Sequence, residues 1–240
     1  MIGLRRVLVV AAHPDDEILG CGGTMAAHIA AGDDVTVMIV AEGITSRGPV
    51  RETAVASADL KALQDAARLA NEIIGVRKVM FFGFPDNRLD SIDLLDLVKP
   101  IEQNLRELQP HVVYTHFRSD LNVDHQRVGD AVVTACRPLP GSVVCELLHF
   151  EVPSSTEWQT GSSHSGFHPN WYVDISETLS AKCDALRVYQ TEMRDWPHPR
   201  SIQGVEHLAR WRGSSAGFEA AEAYSVGRVR RRIKSRGGAA

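Results

Sequence analysis

Short apolar runs, each ending in a cluster of polar residues, recur along the first 140 positions. The run Val7-Leu-Val-Val-Ala-Ala is short, valine-rich and does not alternate, which predicts a strand buried on both faces. It stops at His13-Pro14-Asp15-Asp16-Glu17 and is followed by Gly20, Gly22 and Gly23, read as a turn. Thr24 to Ala31 then predicts a helix closed by Gly32, and Asp34 to Ala41 a second buried strand. After a polar loop from Ile44 to Val50, the residues Leu60, Leu63, Ala67, Ala70 and Ile74 recur at three- and four-residue steps, marking an amphipathic helix that closes at Gly75. Lys78 to Phe84 predicts a third strand, Ile92 to Leu108 a helix, Val112 to Thr115 a fourth strand and Asp124 to Arg137 a helix. Beyond Pro140 the pattern weakens. Ser142 to Val152 reads as one long strand, Pro153 to Pro169 as a surface loop rich in Ser, Gly and His, Trp171 to Ile175 as a short strand, Ser176 to Thr191 as a helix, and Ile202 to Tyr224 as a last helical region.

Strands alternating with helices predict an α/β fold: one domain with a largely parallel, doubly wound (Rossmann-like) sheet flanked by helices, and a C-terminal α+β extension. Regular crossovers put the C-terminal ends of the strands on one edge, where such sheets carry their chemistry. That edge gathers His13 to Glu17, Glu42, Asp86 to Arg88 and His116 to His125.

Composition narrows the class. With 44% hydrophobic and 23% charged residues, the 240-residue chain has ample material for a core. The net charge of −4 hides a basic end: Arg228, Arg230, Arg231, Arg232, Lys234 and Arg236 leave the remainder strongly acidic. The division expected is a domain over residues 1–226 and a disordered basic tail over 227–240. An acidic body argues against a nucleic-acid partner. No run approaches the roughly 20 apolar residues of a membrane span. Four scattered cysteines without a C-x-x-C and the lack of a signal-type segment predict a cytoplasmic protein; a homo-oligomer is left open.

His13 and Asp16 sit three apart on a proline-started turn, so both can face one cation, and zinc is the commonest ion taking this pair. The competing reading makes them caps of the following helix. Asp120-Leu-Asn122-Val-Asp124-His125 supplies a second half-site: His125, opening a helix after the fourth strand, can reach across to His13 and Asp16. Three protein ligands with an open position define a catalytic zinc site. Asp15, beside a ligand, is placed to take a proton from an attacking water, or else to steady His13.

AHPDDE and DLNVDH together resemble the LmbE-like, or PIG-L, family of zinc-dependent N-deacetylases, and FPDN, PNWYVDIS, HPRS and ARWRG extend the resemblance over most of the chain. The resemblance implies one zinc ion per chain on His13, Asp16 and His125, with Asp15 as general base, and removal of an N-acetyl group from an amino sugar. Its substrate would be a small-molecule N-acyl amino sugar, glycoside or sugar nucleotide. Candidate substrate contacts are Arg47, Asp86, Asn87, Arg88, Asn122, Asp124, His164, His168 and Arg200, with Arg212 also near the mouth. One departure matters. Many members have His-x-Asp-His, and this chain has Asn122 in place of the first histidine, so the general acid is open between His164, His168 and Asp15 itself. Two other readings stay in play: a metal-binding relative without hydrolytic activity, and a nucleotide-binding module suggested by Gly20-Cys-Gly22-Gly23 with Glu42.

Overall fold

The computed structural model describes residues 4–47, 57–160 and 166–231. A seven-stranded sheet is built from β1 (Arg6–Ala11), β2 (Asp34–Ala41), β3 (Lys78–Phe84), β4 (Val112–His116), β5 (Glu146–Phe150), β6 (Trp171–Asp174) and β7 (Ala221–Val229). Six helices flank it: α1 (Asp16–Ala30), α2 (Ser57–Ile74), α3 (Leu94–Leu108), α4 (Val123–Ala135), α5 (Leu179–Val188) and α6 (Ile202–Ser214). The strand order is β3-β2-β1-β4-β5-β7-β6. The first five run parallel, and β7 and β6 complete the sheet with antiparallel pairings. The order reverses between β1 and β4, the switch point at which open α/β sheets leave a crevice.

Strand β1 is at the centre and shows why the pattern did not alternate. Val7, Val9 and Ala11 pack on one face with α1, α2 and α5 residues such as Met25, Ala67 and Leu186. Leu8, Val10 and Ala12 pack on the other face with α3 and α4 residues such as Ile101 and Val128. Both faces are covered, so both parities of the strand are apolar.

Four expectations change. The Gly20–Gly23 stretch is not a turn but the interior of α1, which is broken at Cys21 (φ −150). A Cβ at Gly20 would collide with the Phe150 ring and one at Gly23 would come within 2.8 Å of Ile175, so these glycines let α1 lie close against its neighbours. The break frees peptide groups that distant side chains satisfy. Glu222 accepts from the N–H groups of Gly23 (3.0 Å) and Thr24 (2.7 Å), and Lys182 donates to the Leu19 carbonyl (2.7 Å) and pairs with Glu222 at 2.6 Å.

The strand expected over Ser142 to Val152 is confined to Glu146–Phe150. The helical region expected over Ile202 to Tyr224 ends at Ser214, and Ala221 onward is strand β7. Gly213 backs onto the Ala220 backbone, so closely that a Cβ there would lie 2.7 Å from Ala220 Cα, and Gly217 turns the chain with φ +80. Because β7 runs to Val229, residues 227–229 belong to the sheet rather than to a tail, and Arg228 and Arg230 donate to the carbonyls of Cys136 (2.6 Å) and Val144 (3.2 Å). Residues 232–240 lie outside the described residues. Among the described residues, no helix is long and apolar enough to cross a membrane.

Candidate metal centre

β1 delivers His13 to the switch point, and α1 begins three residues later at Asp16. The Asp16 carboxylate accepts the His13 backbone N–H at 2.9 Å, which folds the short turn back on itself. Its Oδ2 lies 3.2 Å from Nδ1 of His13 and 3.2 Å from Nε2 of His125, the latter carried on the first turn of α4. The donor atoms of His13, Asp16 and His125 all fall within 4.8 Å of one another.

Two of these atoms, Oδ1 of Asp16 and Nε2 of His125, are buried and make no hydrogen bond of acceptable geometry among the described residues, the 3.2 Å approach of Nε2 to Asp16 Oδ2 being a close contact only. Leaving such a group unsatisfied costs about 1–3 kcal/mol, more when it is charged, so two together mark a place built for something else. The local field points the same way. Burial lowers the His13 and His125 rings, but the surrounding carboxylates outweigh it: His125 is pushed up to about 9 by Asp16 and Asp120, and His13 is raised by Asp124, Asp16 and Asp86. The carboxylates that raise both rings make the pocket electronegative, which favours a cation. The donor set, two imidazoles and a carboxylate, fits a first-row divalent ion.

Each histidine turns its other nitrogen to a carboxylate. Nε2 of His13 is 2.9 Å from Asp124 and 3.3 Å from Asp86, and Nδ1 of His125 is 3.2 Å from Asp120. Carboxylate partners fix which nitrogen is free to bind an ion. Asp124 is itself held by the N–H groups of Asn87 (2.7 Å) and Leu89 (2.9 Å), and Asp86 by that of Ser46 (3.0 Å). Asp120 accepts from the hydroxyls of Ser155 and Thr156 and from the Asn122 N–H (2.9 Å). Asp86 and Asp124, expected at the substrate, thus support His13. Sequence reasoning gave Asp120 no role, although it stands five residues before His125 in the same motif. His116, which ends β4, stacks on His125 with ring centroids 4.0 Å apart and accepts the Ala12 N–H at 2.8 Å; burial keeps it neutral.

Asp15 stands apart from the ion-binding atoms. Its backbone has φ +113, a conformation costly for a residue with a side chain, and its N–H is pinned by the Glu17 carboxylate at 3.0 Å. Glu17 is fully buried and is held by Tyr189 Oη (2.6 Å) and Asn71 Nδ2 (2.9 Å). The Asp15 carboxylate faces Nη1 of Arg200 at 3.0 Å, and Nε of Arg200 donates to Ser154 Oγ at 2.7 Å. Burial pushes Asp15 up to about 8 against the pull of Arg200.

Asn122 caps α4: its Oδ1 accepts the Asp124 N–H at 2.8 Å, and its Nδ2 donates to Asn87 Oδ1 at 3.1 Å. Arg88 is exposed at the same edge, and so is His168 at the start of the segment leading to β6. Arg212 makes a two-pronged pair with Glu151 (2.8 and 2.7 Å), which removes it from the candidate contacts. The Arg47 side chain and all of His164 lie outside the described residues. The glycines of the would-be nucleotide fingerprint face Phe150, Lys182 and Ile175 rather than an open cradle.

Residues 8–136 match the sequence profile of the family described as PIG-L: GlcNAc-PI de-N-acetylase. The chain belongs to that family. Among PIG-L relatives, the diacetylchitobiose deacetylase of Thermococcus kodakarensis is 28% identical over 196 residues, covering 79% of this chain and 70% of its own. The structure of the N,N'-diacetylchitobiose deacetylase from Pyrococcus horikoshii superposes with a TM-score of 0.74 at 18% identity, over 93% of this chain and 84% of the other. The 4-carboxy-2-hydroxymuconate hydratase GalB of Pseudomonas putida KT2440 superposes with a TM-score of 0.72 at 22% identity, over 98% and 100% of the two chains. The fold alone therefore does not select the reaction; the site must.

Proposed function

We propose that this PIG-L protein is a zinc-dependent N-deacetylase acting on an N-acyl amino sugar within a small molecule, glycoside or sugar nucleotide. The observation that carries the proposal is the pair of buried donors left without a hydrogen bond, Asp16 Oδ1 and His125 Nε2, in the cluster completed by His13. These three residues would hold one zinc ion per chain. A zinc ion there acidifies the attacking water and polarises the acyl carbonyl.

The remaining work falls to the chain's own side chains. Asp15 takes the proton of the attacking water as its oxygen bonds to the acyl carbon. Arg200 and the Glu17 contact to the Asp15 N–H hold the carboxylate in place. The same Asp15 returns the proton to the departing nitrogen, the C–N bond breaks, and acetate and a free amine leave. Asn122 has no proton to give the amine, but one hydrogen of its Nδ2 is not used by Asn87 and can bond the developing oxyanion. Four unpaired cysteines fit a cytoplasmic setting.

Incubating the metal-loaded protein with a panel of acetamido sugars and measuring released acetate tests the reading. Turnover is expected for the wild type, with Asp15→Asn retaining metal and losing at least about 10²-fold in rate. Replacing His164 and His168 together should leave the rate within a few-fold. Metal retention with no turnover on any acetamido sugar would overturn the deacetylase assignment.

A further inference from the structure

The loops that hold Arg200 and His125 in place meet again further out, at a pair of rings. Residues 152–159, following β5, give Ser155 and Thr156 to Asp120, Ser154 to Arg200, and then Trp158. Residues 194–201 give Arg200 to Asp15 and then His198, whose Nδ1 accepts the Arg200 N–H at 3.0 Å. Trp158 and His198 pack edge to face, with ring centroids 5.7 Å apart and planes at 80°. Burial falls along the first loop in the same order: Ser155 and Thr156 are buried, Ser154 is half-buried, and Trp158 is 47% exposed. The ring pair is the exposed end of a run of contacts that passes through Arg200 to Asp15.

The strand order sets what lies across from it. β1, carrying His13, is two strands from β3 and two strands from β5. Trp158 comes from the β5 side. After β3, Asn87 Nδ2 donates to Ser46 Oγ (3.2 Å) and to the Asp86 carboxylate (3.0 Å), and Asn87 Oδ1 accepts from Nδ2 of Asn122, which follows β4 (3.1 Å). The aromatic surface is thus tied through Arg200 to Asp15 beside the candidate metal centre. A pyranose ring offers the complement of such a surface, an apolar face of C–H groups. Rings mounted on loops already fixed to Asp120 and Asp15 lose little freedom on binding such a ligand.

We propose that Trp158, backed by His198, is the sugar-stacking wall of this site. The inference deepens the deacetylase reading and rests on it for the identity of the reacting group. It assigns a specificity-determining role to two residues, Trp158 and His198, that stand outside the reaction itself.

The test uses methyl 2-acetamido-2-deoxy-β-D-glucopyranoside with zinc-loaded protein. Two readouts are taken: KM and kcat for acetate release, and calorimetric binding in an Asp15→Asn background. Trp158→Ala should raise KM and weaken binding by about 2- to 10-fold, the size of an aromatic stacking contact, with kcat within twofold and zinc content unchanged. Trp158→Phe should recover most of the loss, which a merely structural role for the indole would not predict. Unchanged KM and binding in Trp158→Ala, or a glycoside bound no more tightly than the ringless N-acetylethanolamine, would overturn the stacking wall while leaving the deacetylase reading intact. Binding that depends on Trp158 without any acetate release would support the wall and overturn the reaction instead.

Discussion

Oδ1 of Asp120 lies 3.2 Å from Nδ1 of His125, and the same carboxylate is gripped by the hydroxyls of Ser155 and Thr156. This contact links the loop after β5 to the ring of a proposed metal ligand. Asp120→Ala leaves His125 without the partner that orients it. Metal affinity should drop about 10- to 100-fold, read by competition with a chromophoric chelator. Unchanged affinity would show that His125 is positioned by its backbone alone.

Gly20 sits where α1 passes the Phe150 ring. Gly20→Ala should destabilise the fold by at least about 1–3 kcal/mol, because neither a helix nor a fully buried ring can move far. The displaced helix begins at Asp16, so metal retention should fall with stability. Denaturant unfolding and metal analysis on the same preparation check both; a neutral Gly20→Ala would contradict the close packing of α1 on Phe150.

Lys182 and Glu222 are 4% and 5% exposed and form an ion pair at 2.6 Å. Lys182→Met strands the carboxylate and should cost about 3–5 kcal/mol. Adding Glu222→Gln should recover part of that loss, since a neutral amide oxygen can still accept from Gly23 or Thr24. Urea unfolding of the two single variants and the double variant gives the coupling. Strict additivity would show that the pair does not act as a unit.

His149 Nδ1 lies 2.8 Å from the His116 carbonyl, and burial lowers the pKa of the ring below the usual 6.5. A histidine depressed in the folded state contributes stability that is present above its unfolded pKa and is lost as the pH falls through that value. Between pH 7 and pH 5 the wild type should therefore lose more thermal stability than His149→Gln. Parallel melting curves in that window decide it, and parallel losses in the two proteins would contradict the assignment.

The first half of the fold was legible because each parallel strand is covered on both faces and must be continuously apolar, so the end of each run marked the functional edge. The convergence of His13, Asp16 and His125 on one cluster was legible for the same reason, since all three follow strand ends. What failed depended on distant partners. Ala221-Glu-Ala-Tyr carries helix formers, and it becomes a strand because β6 pairs along it and β5 takes up the pairing from Tyr224 onward. The break in α1 at Cys21 depends on a lysine and a glutamate some 160 to 200 positions away. The support of His125 by Asp120 needs two hydroxyls from another loop, and nothing in the spacing of DLNVDH announces them.

The central claim is that His13, Asp16 and His125 form the metal centre. Elemental analysis by mass spectrometry of the purified wild type, His13→Ala and His125→Ala tests it most directly. The wild type should carry close to one zinc ion per chain, and each variant should lose most of it while keeping a folded circular dichroism spectrum. Full zinc occupancy in both variants would contradict the account.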